Sequence, residues 1–415
     1  MIRFISRYSG ILLAIVAMSY AFPVGFDKVF VQEIGSPLLF FSPLQKQFIY
    51  RESLGGHRFN YMNESGASYN RIDFESLLPF LYYKNLEKKN ALPVHIDGRV
   101  FSKKAIKIGR QGLGIKSRHL NNHHPQIQLY PLFSNNPEVA VIPFPEDVFR
   151  FSDTAMEFIN ADSNRIDVPL TERFTSVLNT LGFVFPATVI GGKTTNLKPF
   201  DEGFFVRDSD GQVFHIKRVL DQPVIVKTPI DPKLDIQDII VSENRRKEFY
   251  GIIITRQGGL HLISYDNYRL ISLPVELYEP DRMDFTLLIN PLYTTVVSSQ
   301  AKTVSATAMD RNYQSFRTFE LERYNPTSSL VQVSRDLLFP FQICFDNPYR
   351  GQADLRLQFG GVWALFGILL ALIVFLLTAR KKQPLSIRKG DFFLVLFTGF
   401  FGLIAISCLT RDESF

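Results

Sequence analysis

The sequence predicts a mainly β extracytoplasmic domain with a few helices, joined to transmembrane α-helices, one N-terminal and two C-terminal. Three observations carry this. Two long uncharged runs, Phe359 to Leu377 and Phe392 to Leu409, stand near the C-terminal end. A membrane core about 30 Å thick is crossed by roughly 20 such residues. The stretch between them, TARKKQPLSIRKGD, carries Arg380, Lys381, Lys382, Arg388 and Lys389. Residues 27 to 357 alternate apolar and polar positions, punctuated by Gly, Asp and Asn turns, the pattern of strands.

The elements are justified in order. Ile11 to Phe26 is apolar and follows Arg3 and Arg7, so its cationic end stays in the cytoplasm. Two readings stay open for residues 1–26. Ser19 and Ala21 suit a signal-peptidase site, and the segment equally suits a retained anchor. Either way residues 27–357 are translocated. The chain then crosses inward over 358–378, turns through a basic cytoplasmic loop at 379–391 and crosses outward over 392–409, leaving a short outer tail at 410–415. A pair of buried helices in a soluble core would keep a polar stripe, and these runs have none. The five loop cations fix this topology, because short loops rich in Lys and Arg resist translocation. The expected arrangement is therefore multi-pass, with the bilayer as one partner.

Charge is re-read with that map. The chain holds 46 Lys and Arg against 40 Asp and Glu, a net +6. Outside residues 27–358 lie Arg3, Arg7, the five loop cations and Arg411, against only Asp391, Asp412 and Glu413. The outer domain is thus nearly neutral, and its balance points away from nucleic acid as a partner. Cys408 lies in the last apolar run and Cys344 is alone outside, so ordinary cores must hold the domain together.

Hairpins are expected around Ser209-Asp210-Gly211, around Gly258-Gly259 with a further turn at Asp266-Asn267, and around Asp310 to Asn312. Residues 28 to 52 have the same cadence, with turns at Ser42-Pro43 and Gln45-Lys46. The spacing of the turns at 210, 258 and 311, about 48 and 53 residues, approaches that of propeller blades, and a sandwich would read much the same. Helical insertions are expected over 73–90, with Asp73 as N-cap, and over 171–182, with Thr171 as N-cap and Gly182 as the stop. A third short helix is expected around Asp153 to Ile159.

Motifs that invite chemistry are few. Ala187 to Thr194 fits a relaxed phosphate-loop pattern, but Pro199 falls where the following helix belongs, so a turn is expected. GRQGLGIKS at 109 to 117 is a near miss with Ile115 in place of the lysine. His119, His123 and His124 in SRHLNNHHP are the candidate metal ligands, with His57 and His95 as distant additions, yet no acid or cysteine nearby completes a shell. Asp208-Ser209-Asp210-Gly211 begins like a calcium loop and lacks its closing glutamate, so a hairpin turn is expected. No nucleophile elbow or zinc-protease motif appears. No catalytic residue and no cofactor is assigned, and the expectation leans away from an enzyme.

LLFFSPLQKQFIYRE (38 to 52), DFESLLPFLYYKNLEKKNALP (73 to 93) with HIDG (95 to 98), and FGGVWALFGILLALIVFLLTARKK (359 to 382) carry one resemblance. The chain resembles an uncharacterised bacterial membrane family, a domain of unknown function associated with ABC transporter components. The resemblance implies a non-enzymatic accessory subunit with a periplasm-facing sensing or scaffolding domain, partnered by permease and ATPase subunits. The alternative is a membrane-tethered periplasmic hydrolase or binding protein acting on a sugar or peptide. Clustered acids and a deep funnel would favour the hydrolase or binding protein, and a filled funnel with an apolar surface patch the accessory subunit.

Overall fold

The computed structural model describes residues 2–31, 37–117, 120, 127–280, 282–300, 302–322, 329–346, 354–381 and 389–409. The helices in the first half are α1 (Ile2–Phe30), α2 (Arg71–Ser76), α3 (Tyr83–Lys88), α4 (Lys103–Gly109) and α5 (Val168–Thr180). Those toward the C-terminal end are α6 (Ser329–Leu338), α7 (Trp363–Lys381), α8 (Lys389–Thr398) and α9 (Phe400–Leu409). Two compact units form: a β unit of residues 36–54 and 58–323, and a helical unit of 1–35, 55–57 and 324–415.

The β unit is built of antiparallel meanders that follow one another along the chain. The first comprises Leu38–Phe41, Phe48–Ser53, Phe59–Asn63 and Ser68–Tyr69. The second comprises Asp147–Phe151, Met156–Asn160 and Arg165–Ile166. The third runs Val189–Gly192, Phe204–Arg207, Val213–Val219 and Gln222–Lys227. Ile236–Val241, Phe249–Thr255, Leu260–Ser264 and Leu270–Ser272 make the fourth. Asp284–Ile289, Thr294–Ser299, Thr303–Met309 and Ser315–Glu322 make the fifth, and Gln111–Ile115 joins its edge against Asp284–Ile289.

Four apolar clusters show which meanders pack together. Phe158 and Phe149 of the second meet Phe204 and Phe214 of the third, with Phe174 and Leu178 of α5 between. Phe205 and Val213 of the third meet Ile239 and Ile253 of the fourth. Ile252 and Leu262 of the fourth meet Phe285 and Leu287 of the fifth. Val304 and Ala306 of the fifth meet Leu39 and Phe48 of the first. The packing order is therefore second, third, fourth, fifth, first. Consecutive propeller blades pack face to face in this way. A closed ring would also need the first and second to meet, and no cluster joins those two among the described residues.

The expected hairpins at 208–212, 256–259 and 310–314 are present. Asp208 accepts the Gln212 amide at 2.8 Å and Gly211 takes φ 89°, so the calcium-like sequence is a hairpin turn. The turns at 210 and 258 both join the second and third strands of a meander, whereas that at 311 joins the outer two strands of the fifth. Their even spacing is therefore not one repeat.

Several boundaries are corrected. The expected helix over 73–90 is two short ones, because Pro79 disfavours helical backbone at Leu78. Its cap is Asn70, whose side chain accepts the Asp73 amide at 2.9 Å. The helix expected from 171 begins at Val168 with Asp167 as cap and Pro169 in its first turn; Thr171 instead lends Oγ1 to the Phe158 amide. Of the segment Asp153–Ile159, expected as helix, the first three residues turn the hairpin and the rest lies in the strand Met156–Asn160, paired through Phe158 to Phe149, since hydrophobic positions two apart find a facing sheet. Ala187–Thr194 is not a turn; Val189–Gly192 is the edge strand of the third meander, and GRQGLGIKS likewise becomes the strand Gln111–Ile115. Residues 28–30, expected as strand, extend α1.

In the helical unit, α1 runs without a break through Ser19 and Ala21. Ile11 and Ile15 join Ala371, Phe375, Val395 and Phe401 in one core. Arg7 binds Asp391 at 2.9 Å, and Arg335 grips both oxygens of Asp27 at 2.8 and 2.9 Å. A hairpin, Phe341–Asp346 with Asp354–Phe359, also belongs to this unit and not to the β domain, as does α6. The α1 stretch Ser6–Phe30 is long and apolar enough to cross a membrane. The expected C-terminal pair differs. Trp363–Thr378 is a shorter apolar helix, and the run 392–409 is divided at Gly399, which takes φ 56° between α8 and α9.

Candidate functional site

The β unit offers two places where polar chemistry is concentrated. One is a buried ionic cluster on the loop that leads from Gly192 to Phe204. Lys198 is fully buried; its ammonium donates to Asp201, to Glu243 Oε1 at 2.8 Å and to the Lys193 carbonyl at 3.0 Å, and sits 4.5 Å over the Phe133 ring. Gly203 makes the tight exit possible: φ is 68°, and an added Cβ would lie 2.1 Å from the Ile216 carbonyl oxygen. Glu202 next to it binds Lys217 and accepts the Tyr265 hydroxyl at 2.7 Å. His215 donates from Nε2 to the Glu202 carbonyl at 2.5 Å and accepts the Tyr268 hydroxyl at 3.0 Å, stacked on Phe205. Burial pushes its pKa down to about 3, with help from the Lys217 cation. Burial likewise raises Glu243, against the pull of Lys198. Asp201, Glu202 and Glu243 are thus each tied to a lysine. A carboxylate pair for acid–base work needs a free group in reach of substrate, which this cluster does not supply.

The second place is a cavity of about 370 Å³, in the size class of small-ligand sites. Phe41 of the first meander, Leu78 and Phe80 of the helical insertion and Ile289 of the fifth meander give it apolar walls. Lys107, Arg110, Gln111, Asn244, Asn290 and Thr295 are its polar lining. The sequence positions them from two directions. Ser102 caps α4, accepting the Ala105 amide at 3.2 Å, and the helix ends at Gly109, whose carbonyl is held by Arg246 at 2.6 Å. Arg110 then turns the chain into the edge strand that Gln111 opens.

The electrostatics of this cavity are unbalanced. The Arg110 guanidinium lies 5.3 Å over the Tyr83 ring and has no acidic partner among the described residues. Burial draws its pKa below the ordinary arginine value, the Tyr83 ring opposing. Gln111 is buried; its Nε2 donates to Ser242 at 3.2 Å while Oε1 has no partner. Asn290 spends its oxygen on the amides of Leu292 and Tyr293, both at 2.8 Å, and Asn244 its own on Arg246 at 3.0 Å, so both present NH2 groups without a described acceptor. The half-buried guanidinium has no acidic partner and is open to an anion that enters the cavity, whereas Gln111 Oε1 is sealed inside the wall.

Among the residues expected from sequence, His119, His123 and His124 lie outside the described residues, as do Lys382 and Arg388. Arg380 and Lys381 end α7 and Lys389 opens α8. His95 is exposed on the strand Val94–Ile96. Among the described residues no group of three or more His, Cys, Asp or Glu stands close enough to hold a metal. Neither the ionic cluster nor the cavity was expected from sequence. Lys198 and Asp201, three residues apart, were legible as a pair. Glu243 comes from another meander and was not.

No protein of curated function matches the chain. Among solved structures, PorZ, a bacterial surface component of the type-IX secretion system of Porphyromonas gingivalis, is 9% identical with TM-score 0.22, over 69% of this chain and 32% of that one. The dihydro-heme d1 dehydrogenase NirN is 10% identical with TM-score 0.23, over 55% and 56%. A prolyl endopeptidase is 10% identical with TM-score 0.19, over 72% and 45%. The chain thus spans about a third of PorZ and about half of the other two, and at such TM-scores none of the three bears on its fold or chemistry. The family profile of the domain of unknown function DUF4857 matches residues 38–309, which include every residue lining the cavity. The chain belongs to the DUF4857 family.

Proposed function

We propose that the chain is a non-enzymatic, membrane-anchored accessory subunit whose β unit faces the extracytoplasmic side and binds a small ligand in the Arg110 cavity. Its working partners in this reading are the permease and ATPase of an ABC-type transporter. The observation that carries the binding role is the mismatch within the β unit. Its clustered acids are neutralised by lysines, while a walled cavity presents a guanidinium with no acidic partner among the described residues. Such a site is built to receive a molecule and lacks the free acid or nucleophile of a hydrolase.

The anchor reading rests on α1. A cleaved signal peptide has no reason to bury Ile11 and Ile15 against α7 and α9 or to hold Arg335 through Asp27. Leu13, Val16, Leu365, Leu369 and Phe397 are exposed on this unit, a surface suited to lipid and costly in water. In this reading α7 and the α8–α9 pair also enter the bilayer, with the cations from Arg380 to Lys389 on the cytoplasmic side.

Two measurements test the proposal. A protease-sensitive tag inserted near residue 260 is expected to be cut in spheroplasts without opening the cytoplasm; cutting only after lysis overturns the sidedness. Extraction in mild detergent through a C-terminal tag is expected to recover permease and ATPase subunits. Recovery of the chain alone at full yield overturns the accessory role.

A further inference from the structure

The geometry points to one ligand class for the Arg110 cavity: a short apolar acyl-peptide or acyl-amino acid ending in a free carboxylate. This rests on the binding role proposed above and names what that site takes. Three features select the class together. First, the only charge that lines the cavity from a half-buried position is the Arg110 guanidinium, and it is unpaired among the described residues. A guanidinium presents parallel N–H donors that match a carboxylate in two bonds. Lys107, also on the lining, is exposed, so it can draw an anion toward the mouth without competing for it inside.

Second, the NH2 groups of Asn244 and Asn290 on the lining have no described acceptor and suit a carbonyl oxygen beside the carboxylate. A simple fatty acid has a carboxylate and a tail but no second carbonyl. An acylated amino acid adds an amide carbonyl close to its carboxylate, so one molecule offers acceptors both to the guanidinium and to the amide donors. Third, the remaining wall is aromatic and aliphatic, including Phe40, Phe41 and Leu288, which favours apolar side chains over a sugar ring rich in hydroxyls. The volume of about 370 Å³ limits the occupant to a few residues.

The test uses the full chain in lipid nanodiscs, titrated by calorimetry with acetyl-Leu-Phe, with its carboxamide and with decanoate. The free acid is expected to bind at least about tenfold more tightly than the carboxamide, as loss of a charge-assisted pair requires. Arg110→Gln is expected to remove that preference while lowering the unfolding midpoint only slightly, because its contact over the Tyr83 ring is lost and no ion pair is. Acetyl-Leu-Phe is expected to bind more tightly than decanoate, which offers no amide carbonyl to Asn244 and Asn290. Equal affinity for acid and carboxamide, or no binding of acetyl-Leu-Phe to the unaltered chain, overturns the inference. Recovery of permease and ATPase with the tagged chain is scored separately, so a wrong ligand class is distinguishable from a wrong accessory role.

Discussion

Replacing Lys198 by methionine is expected to lower the unfolding free energy by about 3–5 kcal/mol, the range for stranding a buried charge. The side chain is fully buried and gives all three ammonium protons away, to Asp201, Glu243 and the Lys193 carbonyl. Without it two carboxylates face each other out of water, and Glu243 Oε2 already lacks a partner. The Lys193 carbonyl also loses its donor. Methionine keeps the contact with the Phe133 ring, so the loss isolates charge from packing. The check is chemical unfolding of the full chain followed by near-ultraviolet circular dichroism. A triple variant with Asp201→Asn and Glu243→Gln added is expected to recover most of the loss, because it removes the stranded charges. A single-variant loss below about 1 kcal/mol would show that the carboxylates reach water or share a proton freely, and would end the description of this cluster as a sealed ionic core.

The same cluster shows how far the sequence could be read. Hairpins at Gly211 and Gly258 were legible because turn chemistry is local: a positive φ favours glycine wherever the strands go. The helix over 168–180 was legible in its apolar face, Phe174 and Leu178, but its start was misplaced, since Asp167 and Thr171 are both plausible caps and only the sheet decides that Thr171 Oγ1 holds the Phe158 amide. The insertion at 73–90 was over-extended because apolar periodicity continues across Pro79 while the backbone does not. The strand at Met156–Asn160 was misread because a five-residue apolar stretch has no period long enough to tell helix from strand. What sequence could not supply is convergence. Arg110 stands 134 residues before Asn244 and Asn290 stands 46 after it, and they meet only because the fourth and fifth meanders and the α4 connection share a wall. A glutamine at the head of an apolar strand was the one hint, and it was absorbed into a failed phosphate-loop pattern.

Acidification from pH 7 to pH 5 is expected to cost the β unit about 2 kcal/mol through His215. Its folded pKa of about 3 lies below the ordinary value near 6.5, because burial and the Lys217 cation disfavour the imidazolium. In that interval the unfolded chain binds the proton and the folded chain does not, so stability rises with pH. The contribution is complete above pH 6.5 and is lost progressively as pH falls toward 3, at about 1.4 kcal/mol for each pH unit. His261, also lowered by burial, has the same sign. Glu243, raised by burial, has the opposite sign from its ordinary range upward, and the lowered Glu64 and Glu75 act only below theirs. A variant of His215 separates the histidine from Glu243 within the interval from pH 6.5 to 5. Replacing His215 by phenylalanine keeps the stack on Phe205 and gives up the bonds to the Glu202 carbonyl and the Tyr268 hydroxyl. The variant is expected to be less stable at pH 7 yet to lose much less on acidification. Parallel stability curves for the two proteins over this interval would show that His215 does not stay neutral in the folded chain.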